Sequence, residues 1–185
     1  MVQGVKGIVT VVVGLVQDGR IYMGADSAAV SGWNVSPTRL RKVFCVGEFI
    51  IGYAGSFRMG QILQYHLSVP QQQDGVSDER YMVTEVVEAV RQCLKDKGYT
   101  KIDSNRESGA FVLIGYRGQL YQIEDDFQVN TFHDDMAALG AGAEFALGAL
   151  AALSDLKPTK RIKRALEISA QFSGAVCAPF VIETQ

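Results

Sequence analysis

The sequence predicts an α+β protein, a four-layer α-β-β-α sandwich in which two antiparallel sheets stack between two helical layers. Three observations lead to this prediction. A chain of 185 residues suits one domain with one sizeable core. Its short apolar, β-branched segments come in blocks instead of alternating with helices, which favours antiparallel sheets. Two pairs of helical segments separate these blocks, so each sheet can gain one helical layer.

The first block predicts two hairpins. Residues 8–16 are apolar and rich in Val, as in a buried strand, and Asp18-Gly19 is a strong hairpin-turn signal. Residues 26–41 mix Ser, Gly, Asn and Pro, which is typical of an ordered loop or irregular strands. We therefore expect an antiparallel meander in the first third of the chain. Its predicted strands are residues 8–16, 20–25, 42–46 and 49–54.

Two helices are expected next. Ser56 is a predicted N-cap for a helix that runs to about Leu67, and Ser77-Asp78 begin a second helix. Gly98 is expected to end the second helix in a left-handed conformation. Apolar residues at helical spacing give this helix one buried stripe. The stripe consists of Val83, Val86, Val87, Val90 and Leu94.

The second half repeats the order of strands, then helices, and adds a final strand. Apolar segments around an Arg117-Gly118 turn predict a third hairpin, and a further short strand ends in Gly140-Ala141-Gly142. An Ala-rich segment and a segment opened by Pro158 predict two helices. The predicted strands are residues 110–116, 119–124, 136–139 and 180–183, and the predicted helices are residues 143–153 and 158–172.

Composition excludes several functional classes. The net charge of −2 does not favour a nucleic-acid-binding protein, which needs a clustered positive surface. No apolar segment reaches the length of about 20 residues that spans a bilayer, so no membrane partner is expected. The three cysteines are far apart and favour a reducing, cytoplasmic location. His66 and His133 are too scattered to indicate a metal site, and no cofactor is expected.

One set of residues carries a chemical signal. Thr10 lies in the first predicted strand, Asp26 follows the first hairpin 16 positions later, and Lys42 begins the second hairpin another 16 positions on. A hydrophobic strand then ends in Ala54-Gly55. In these residues, and in the later segment LGAGAEFALGALAAL, the chain resembles the proteasome β-subunit and HslV family of N-terminal-nucleophile hydrolases. The resemblance extends over nearly the whole chain.

The resemblance implies a catalytic mechanism. Thr10 would be the nucleophile, exposed by removal of a short propeptide-like segment, residues 1–9, from a single domain of residues 10–185. The α-amino group of Thr10 would then act as its general base. Lys42 would be a cation beside the nucleophile, Asp26 would position Lys42, and the backbone N–H of Gly55 would stabilise the oxyanion.

The resemblance also implies substrate and partners. Its specificity-pocket positions fall near Ala29, Leu40 and Tyr53, which suggests an apolar pocket for a peptide or unfolded protein substrate. Subunits of this family assemble into rings, so a homo-oligomeric ring is expected. The chain has no GxxxxGK[ST] loop, and a separate ATP-dependent unfoldase would have to supply any energy.

Three departures from the family pattern keep alternatives open. Val9 stands where self-cleaving members have Gly, and Ala141 stands where the family has a Ser that supports the terminal amine. The family also has an Asp near the end of the last long helix, where this chain has Gln171 and Ser173. Besides an active threonine peptidase, the sequence therefore allows a catalytically inactive ring subunit and a non-peptidase amidohydrolase of the same fold.

Overall fold

Two stacked antiparallel sheets form the centre of the computed structural model, which describes residues 9–185. Apart from Val9, the predicted propeptide-like segment lies outside the described residues. In spatial order, the first sheet contains β12 (Met136–Gly140), β1 (Val11–Gln17), β2 (Arg20–Ala25) and β13 (Val181–Thr184). The second sheet contains β11 (Val129–Thr131), β10 (Gln119–Ile123), β9 (Val112–Tyr116), β6 (Phe49–Tyr53) and β5 (Val43–Val46).

The turns of two of the three predicted hairpins explain why their strands pair. Asp18 and Gly19 both have positive φ, 53° and 72°, and so do Arg117 and Gly118, with 45° and 73°. Positive φ at both central residues is the type I′ geometry whose twist matches that of paired strands. The strand pairings confirm all three predicted hairpins, β1–β2, β5–β6 and β9–β10.

The predicted meander in the first third is wrong. The β1–β2 hairpin belongs to the first sheet, whereas the β5–β6 hairpin belongs to the second. The open edge of β2 is filled from the far end of the chain by β13, with Val181 opposite Ala25. Residues 26–41 cross between the sheets and form a separate hairpin of β3 (Ala28–Ser31) and β4 (Asn34–Pro37).

Helices cover the outer faces of both sheets and complete the predicted four-layer sandwich. The second sheet packs against α1 (Phe57–His66) and α3 (Val87–Asp96), and the first sheet packs against α4 (Ala143–Ala152) and α5 (Pro158–Phe172). Between the sheets lies a third apolar layer that contains Val12, Met23 and Leu113. In the part of the chain that the structure describes, no helix is long and apolar enough to cross a membrane.

The second predicted helix is interrupted. It begins as α2 (Asp78–Tyr81), passes through a π-helical segment (Met82–Val86) and continues as α3. The wider turn changes the direction of the side chains within it. Val83 is consequently exposed, although the helical stripe predicted it to be buried, and Met82 is buried in its place. Ser56 and Ser77 cap their helices as predicted, and Gly98 has the expected positive φ of 68°.

Three short strands were not predicted. They are β7 (Lys101–Asp103), β8 (Arg106–Ser108) and β11, each only three residues long. Three residues cannot display a period, and the β7–β8 hairpin is largely polar, so the sequence gives no strand signal there.

Packing of α1 on its sheet requires a glycine, and this requirement is testable. A Cβ on Gly60 would lie 2.0 Å from Cζ of Tyr53, so Gly60→Ala should lower the free energy of unfolding by about 1–3 kcal/mol. Gly148 in α4 is the matched control because a Cβ there meets nothing within 4 Å. Gly148→Ala should raise stability by up to about 1 kcal/mol through helix propensity. Urea unfolding of both variants measures these changes, and a neutral Gly60→Ala would contradict the close packing.

Candidate active site

Three strand ends bring Thr10, Asp26 and Lys42 together. Thr10 lies one residue before β1, not inside the strand as predicted, Asp26 follows β2, and Lys42 lies one residue before β5. The Lys42 ammonium donates hydrogen bonds to Thr10 Oγ1 at 2.7 Å and to Asp26 Oδ1 at 2.9 Å. Each of the three residues is at most 2% exposed. A hydroxyl, an ammonium and a carboxylate therefore form one buried chain of contacts.

The fold explains this convergence. Strands β1 and β2 are antiparallel, with Val12 opposite Ala25, so the start of β1 and the end of β2 lie at the same edge of the first sheet. Lys42 comes from the second sheet, and stacking of the two sheets brings its side chain to this edge. Equal spacing along the sequence thus becomes contact in space through one hairpin and one crossover between sheets.

The Asp26 carboxylate organises the surrounding backbone. Its Oδ1 accepts a hydrogen bond from the Val11 N–H at 3.0 Å, and its Oδ2 accepts from the N–H groups of Ala28 at 2.7 Å and Cys177 at 3.4 Å. Together with Lys42, these donors compensate the lost hydration of a buried carboxylate. Asp26 therefore connects the start of β1, the start of β3 and the segment before β13.

The position of Lys42 affects its proton affinity. Burial lowers the pKa of its ammonium below the ordinary value, while the attraction of Asp26 opposes this shift. The Phe57 ring at the start of α1 lies 5.8 Å from Lys42 Nζ and covers it on one side. An ammonium that donates to the Thr10 hydroxyl favours the deprotonated form of that hydroxyl.

The Thr10 backbone is strained. Its φ is 125°, a conformation that is rare for any residue with a side chain and especially for a β-branched one. A strained residue of this kind costs about 1–3 kcal/mol. The Gly140-Ala141-Gly142 turn packs against it, because Gly142 N–H donates to the Thr10 carbonyl at 3.3 Å and a Cβ on Gly140 would lie 2.3 Å from that carbonyl oxygen.

Ser169 is a supporting residue that the sequence did not reveal. It is fully buried on α5, and its hydroxyl donates to the Gly142 carbonyl at 3.0 Å. The candidates expected from the sequence are placed differently: Gln171 is exposed, and Ser173 Oγ accepts a hydrogen bond from the Ala175 N–H. The one available signal was a small polar residue in the buried stripe of α5, after Ile162, Ala165 and Leu166.

Gly55, the predicted oxyanion donor, is half-buried. It follows β6 and precedes the Ser56 cap of α1, and its φ of 101° requires glycine. A Cβ at this position would meet nothing within 4 Å, so a ligand can approach the backbone here. Among residues 9–185, no group of three His, Cys, Asp or Glu side chains is arranged to hold a metal ion.

Two of the three predicted substrate-binding residues share a cavity. Leu40 and Tyr53 line a cavity of about 260 Å³, whereas Ala29 lies half-buried on β3 and does not line it. Its other walls are polar or basic, which differs from the apolar pocket expected near these positions. The sequence could not show which α1 side chains would lie opposite Leu40. The remaining lining residues are Arg39, Arg41, Gln61, Gln64 and Tyr65.

Comparison with known proteins gives a consistent result. The family described as "Proteasome subunit" matches residues 8–172. The ATP-dependent protease subunit HslV of Caldicellulosiruptor saccharolyticus is 24% identical over 168 residues, which cover 87% of this chain and 89% of the relative.

Solved structures share the fold. Thiobacillus denitrificans BPH in complex with epoxomicin matches with a TM-score of 0.78 and 23% identity, over 95% of this chain and 98% of that one. The eukaryotic HslV from Trypanosoma brucei matches with a TM-score of 0.68 and 18% identity, over 95% and 98%. These matches confirm the predicted α+β sandwich.

Asp26 should contribute more to stability than Thr10 does. Asp26→Ala leaves the Lys42 ammonium buried without its counter-ion, which should lower the free energy of unfolding by about 3–5 kcal/mol. Thr10→Ala removes one hydrogen bond and should cost about 0.5–1.5 kcal/mol. Glu167→Ala, which breaks the partly exposed Arg164–Glu167 pair, is the control and should cost less than about 1 kcal/mol. Urea titrations that rank Thr10→Ala at or above Asp26→Ala would contradict this assignment.

Proposed function

Because the chain belongs to the proteasome subunit family, we propose that it is a threonine peptidase whose nucleophile is the hydroxyl of Thr10. The observation that carries this proposal is the buried contact of Thr10 Oγ1 with the Lys42–Asp26 ion pair. A buried ion pair generally stabilises a fold poorly compared with apolar residues of similar volume. Its position on a hydroxyl instead supports a chemical role. The substrates would be peptides or unfolded proteins.

Thr10 must first become the N-terminal residue. In the chain as it stands, its nitrogen belongs to the peptide bond with Val9 and cannot act as a base. We propose that Thr10 Oγ attacks the Val9 carbonyl carbon and the C–N bond breaks, which leaves an ester on Oγ and a free amine on Thr10. Water then hydrolyses the ester and releases residues 1–9 with a carboxylate at Val9. The strained φ of Thr10 supports this step because cleavage removes the amide that φ constrains.

Peptide hydrolysis would follow the same geometry. The freed α-amine takes the proton of Thr10 Oγ while the oxygen attacks the substrate carbonyl, and Lys42 stabilises the developing charge on Oγ. The Gly55 N–H would stabilise the oxyanion, a contribution of about 3–4 kcal/mol for a well-placed donor. The protonated amine then gives its proton to the leaving amine, and water hydrolyses the Thr10 ester. Asp26 holds Lys42 in place throughout.

A second candidate function is an inactive ring subunit. Val9 and Ala141 favour it, because a β-branched residue restricts the backbone before the bond to be cut and Ala141 has no hydroxyl to offer the Thr10 amine. In that case Thr10 would remain in its peptide bond and the Lys42–Asp26 pair would be a structural remnant.

The outer face of α4 supports assembly of several copies. This helix has the sequence AEFALGALAA with one charged residue, Glu144, and Phe145 and Leu147 are exposed on its surface. Phe145 packs on exposed Phe172 of α5 with ring centroids 5.6 Å apart. A helix that is apolar on all sides is normally buried. We propose that this face is a contact in a homo-oligomeric ring, which would receive substrate from a separate ATP-dependent unfoldase.

The nature of the nucleophile can be tested by N-terminal processing and peptide hydrolysis. The wild type should lose residues 1–9 and cleave fluorogenic peptides, Thr10→Ser should retain both activities in part, and Thr10→Ala should keep residues 1–9 and lose hydrolysis by at least about a hundredfold. Intact mass, N-terminal sequencing and release of the fluorophore measure these outcomes. Hydrolysis that survives Thr10→Ala refutes the peptidase proposal, and an unprocessed, inactive wild type supports the inactive subunit.

The assembly contact can be tested by adding one charge. Phe145→Asp should reduce the molar mass in solution, measured by light scattering, because a buried unpaired carboxylate disfavours association. Ile102→Asp is the matched control, because Ile102 is also an exposed apolar residue but lies on the β7–β8 hairpin. An unchanged molar mass for Phe145→Asp would exclude the α4 face as a contact.

A further inference from the structure

The cavity beside Lys42 has a chemistry that the proposed mechanism does not use. Two arginines, Arg39 and Arg41, lie on its wall, and none of its lining residues is acidic. Gln61, Gln64 and Tyr65 of α1 form the opposite wall. Such a set of donors and cations suits an anionic ligand.

The strand pairing places this cavity next to the nucleophile. Tyr53 N–H donates to the Lys42 carbonyl at 3.0 Å, and Val43 lies opposite Gly52, so Lys42 and Tyr53 are cross-strand partners. Side chains of cross-strand partners leave the sheet on the same face, with Cβ atoms about 4.5–5.5 Å apart. Tyr53 lines the cavity, and its cross-strand partner Lys42 contacts Thr10.

The environment of Tyr53 also indicates a ligand. Its side chain is 2% exposed, and α1 presses on the ring at Gly60. No residue in the range 9–185 forms a hydrogen bond with its hydroxyl, and this oxygen is not among the fully buried side-chain atoms that lack a partner, so it keeps some access to the cavity that Tyr53 lines. Burial, with a smaller effect of the Asp26 charge, raises its pKa above the ordinary value, so the hydroxyl stays protonated. A protonated hydroxyl can donate a hydrogen bond to an anion in the cavity.

The charges of the cavity are only partly balanced. Arg41 forms an ion pair with Glu183 at 2.7 Å through one terminal nitrogen. For Arg39, the structure of residues 9–185 contains no ion pair. One positive charge therefore remains on the wall of the cavity that Tyr53 also lines, and the Arg39 guanidinium can bind a carboxylate with two parallel hydrogen bonds.

We propose that this cavity binds the carboxylate of an acidic side chain of the substrate, so that the enzyme prefers peptides with Glu or Asp close to the bond that is cut. This inference rests on the proposed peptidase function and adds its substrate class. Arg39 and the Tyr53 hydroxyl are the specificity-determining groups, and Arg41 adds positive charge at the wall. The cavity adjoins Lys42 through Arg41, its neighbour in the sequence, and Tyr53, its cross-strand partner. An acidic side chain of the substrate can therefore occupy the cavity while Thr10 attacks a nearby carbonyl of the same peptide.

Paired peptides test the preference. Two fluorogenic peptides that differ only by Glu or Gln are prepared for each of the three positions before the cleaved bond, and kcat/KM is measured for each pair. We expect a preference for Glu of about tenfold at one position, as for one charge-assisted contact. Arg39→Gln should reduce this ratio to near one, and Tyr53→Phe, which retains the ring, should reduce it in part. Arg106→Gln, on the distant β7–β8 hairpin, is the control and should leave the ratio and the basal rate unchanged.

A binding assay separates this inference from the peptidase proposal. Thr10→Ala, which lacks the nucleophile, is titrated with the same labelled peptides, and anisotropy measures their dissociation constants. A Glu preference in binding that Arg39→Gln removes would support the cavity even if the wild type hydrolyses nothing. Hydrolysis without a Glu preference would overturn the cavity while the peptidase proposal stands. Equal binding of the Glu and Gln peptides, or no binding of either, would also overturn it.

One further comparison identifies the source of the carboxylate. Peptides with a free C-terminal carboxylate and with an amide end, both without acidic side chains, are added to the same titration. Binding of the free-acid peptide alone, with no effect of an internal Glu, would overturn the assignment to a substrate side chain. Discrimination of internal Glu from Gln with no effect of the C-terminal group supports it.

Discussion

The buried ion pair between Lys42 and Asp26 is the contact on which the rest of the structure depends. Neither charge can remain without the other, because an unpaired ion in a site that is about 1% exposed has neither water nor a counter-ion. Asp26 also accepts three backbone N–H groups from segments that are distant in the sequence. The ion pair therefore fixes both the relative position of the two sheets and the direction of the Lys42 side chain. This direction places the ammonium within hydrogen-bond distance of the Thr10 hydroxyl.

The strained backbone of Thr10 lies directly beside this ion pair and is held in place by it. A β-branched residue with φ of 125° would relax in an isolated chain, but here its carbonyl is held by the Gly142 N–H and its hydroxyl by Lys42. Local rules are commonly violated at functional sites and are supported by consistent structure around them. Strands β1 and β12 and the Lys42–Asp26 pair supply this support, so the strained residue lies next to the most strongly determined contacts of the fold.

Local signals carried much of the sequence prediction, and long-range packing limited it. The Asp18-Gly19 prediction succeeded because these residue types readily adopt the positive φ that the turn requires at both positions. The Ser56 prediction succeeded because a Ser hydroxyl can cap the first turn of α1. Val83 was mispredicted because a π-helical segment changes the phase of a stripe that assumes regular spacing. The contribution of Ser169 and the basic wall of the cavity near Leu40 depend on how α5 and α1 lie against distant strands. No pattern within one segment encodes those contacts.

The turn against Thr10 shows what the departures from the family pattern change. The hydroxyl that relatives are expected to have at the position of Ala141 would face the amine, whereas Ser169 directs its hydroxyl to the Gly142 carbonyl. Ser169 thereby fixes the turn, and the turn fixes the Thr10 carbonyl. Neither Ser169, whose hydroxyl donates to Gly142, nor Ala141, which has no hydroxyl, offers a proton to the Thr10 nitrogen. In the proposed mechanism the orientation of Thr10 is thus retained, while proton transfer is left to the amine itself and to water. In the proposed mechanism Lys42 is therefore the side chain that acts directly on Thr10, because its ammonium donates a hydrogen bond to the Thr10 hydroxyl.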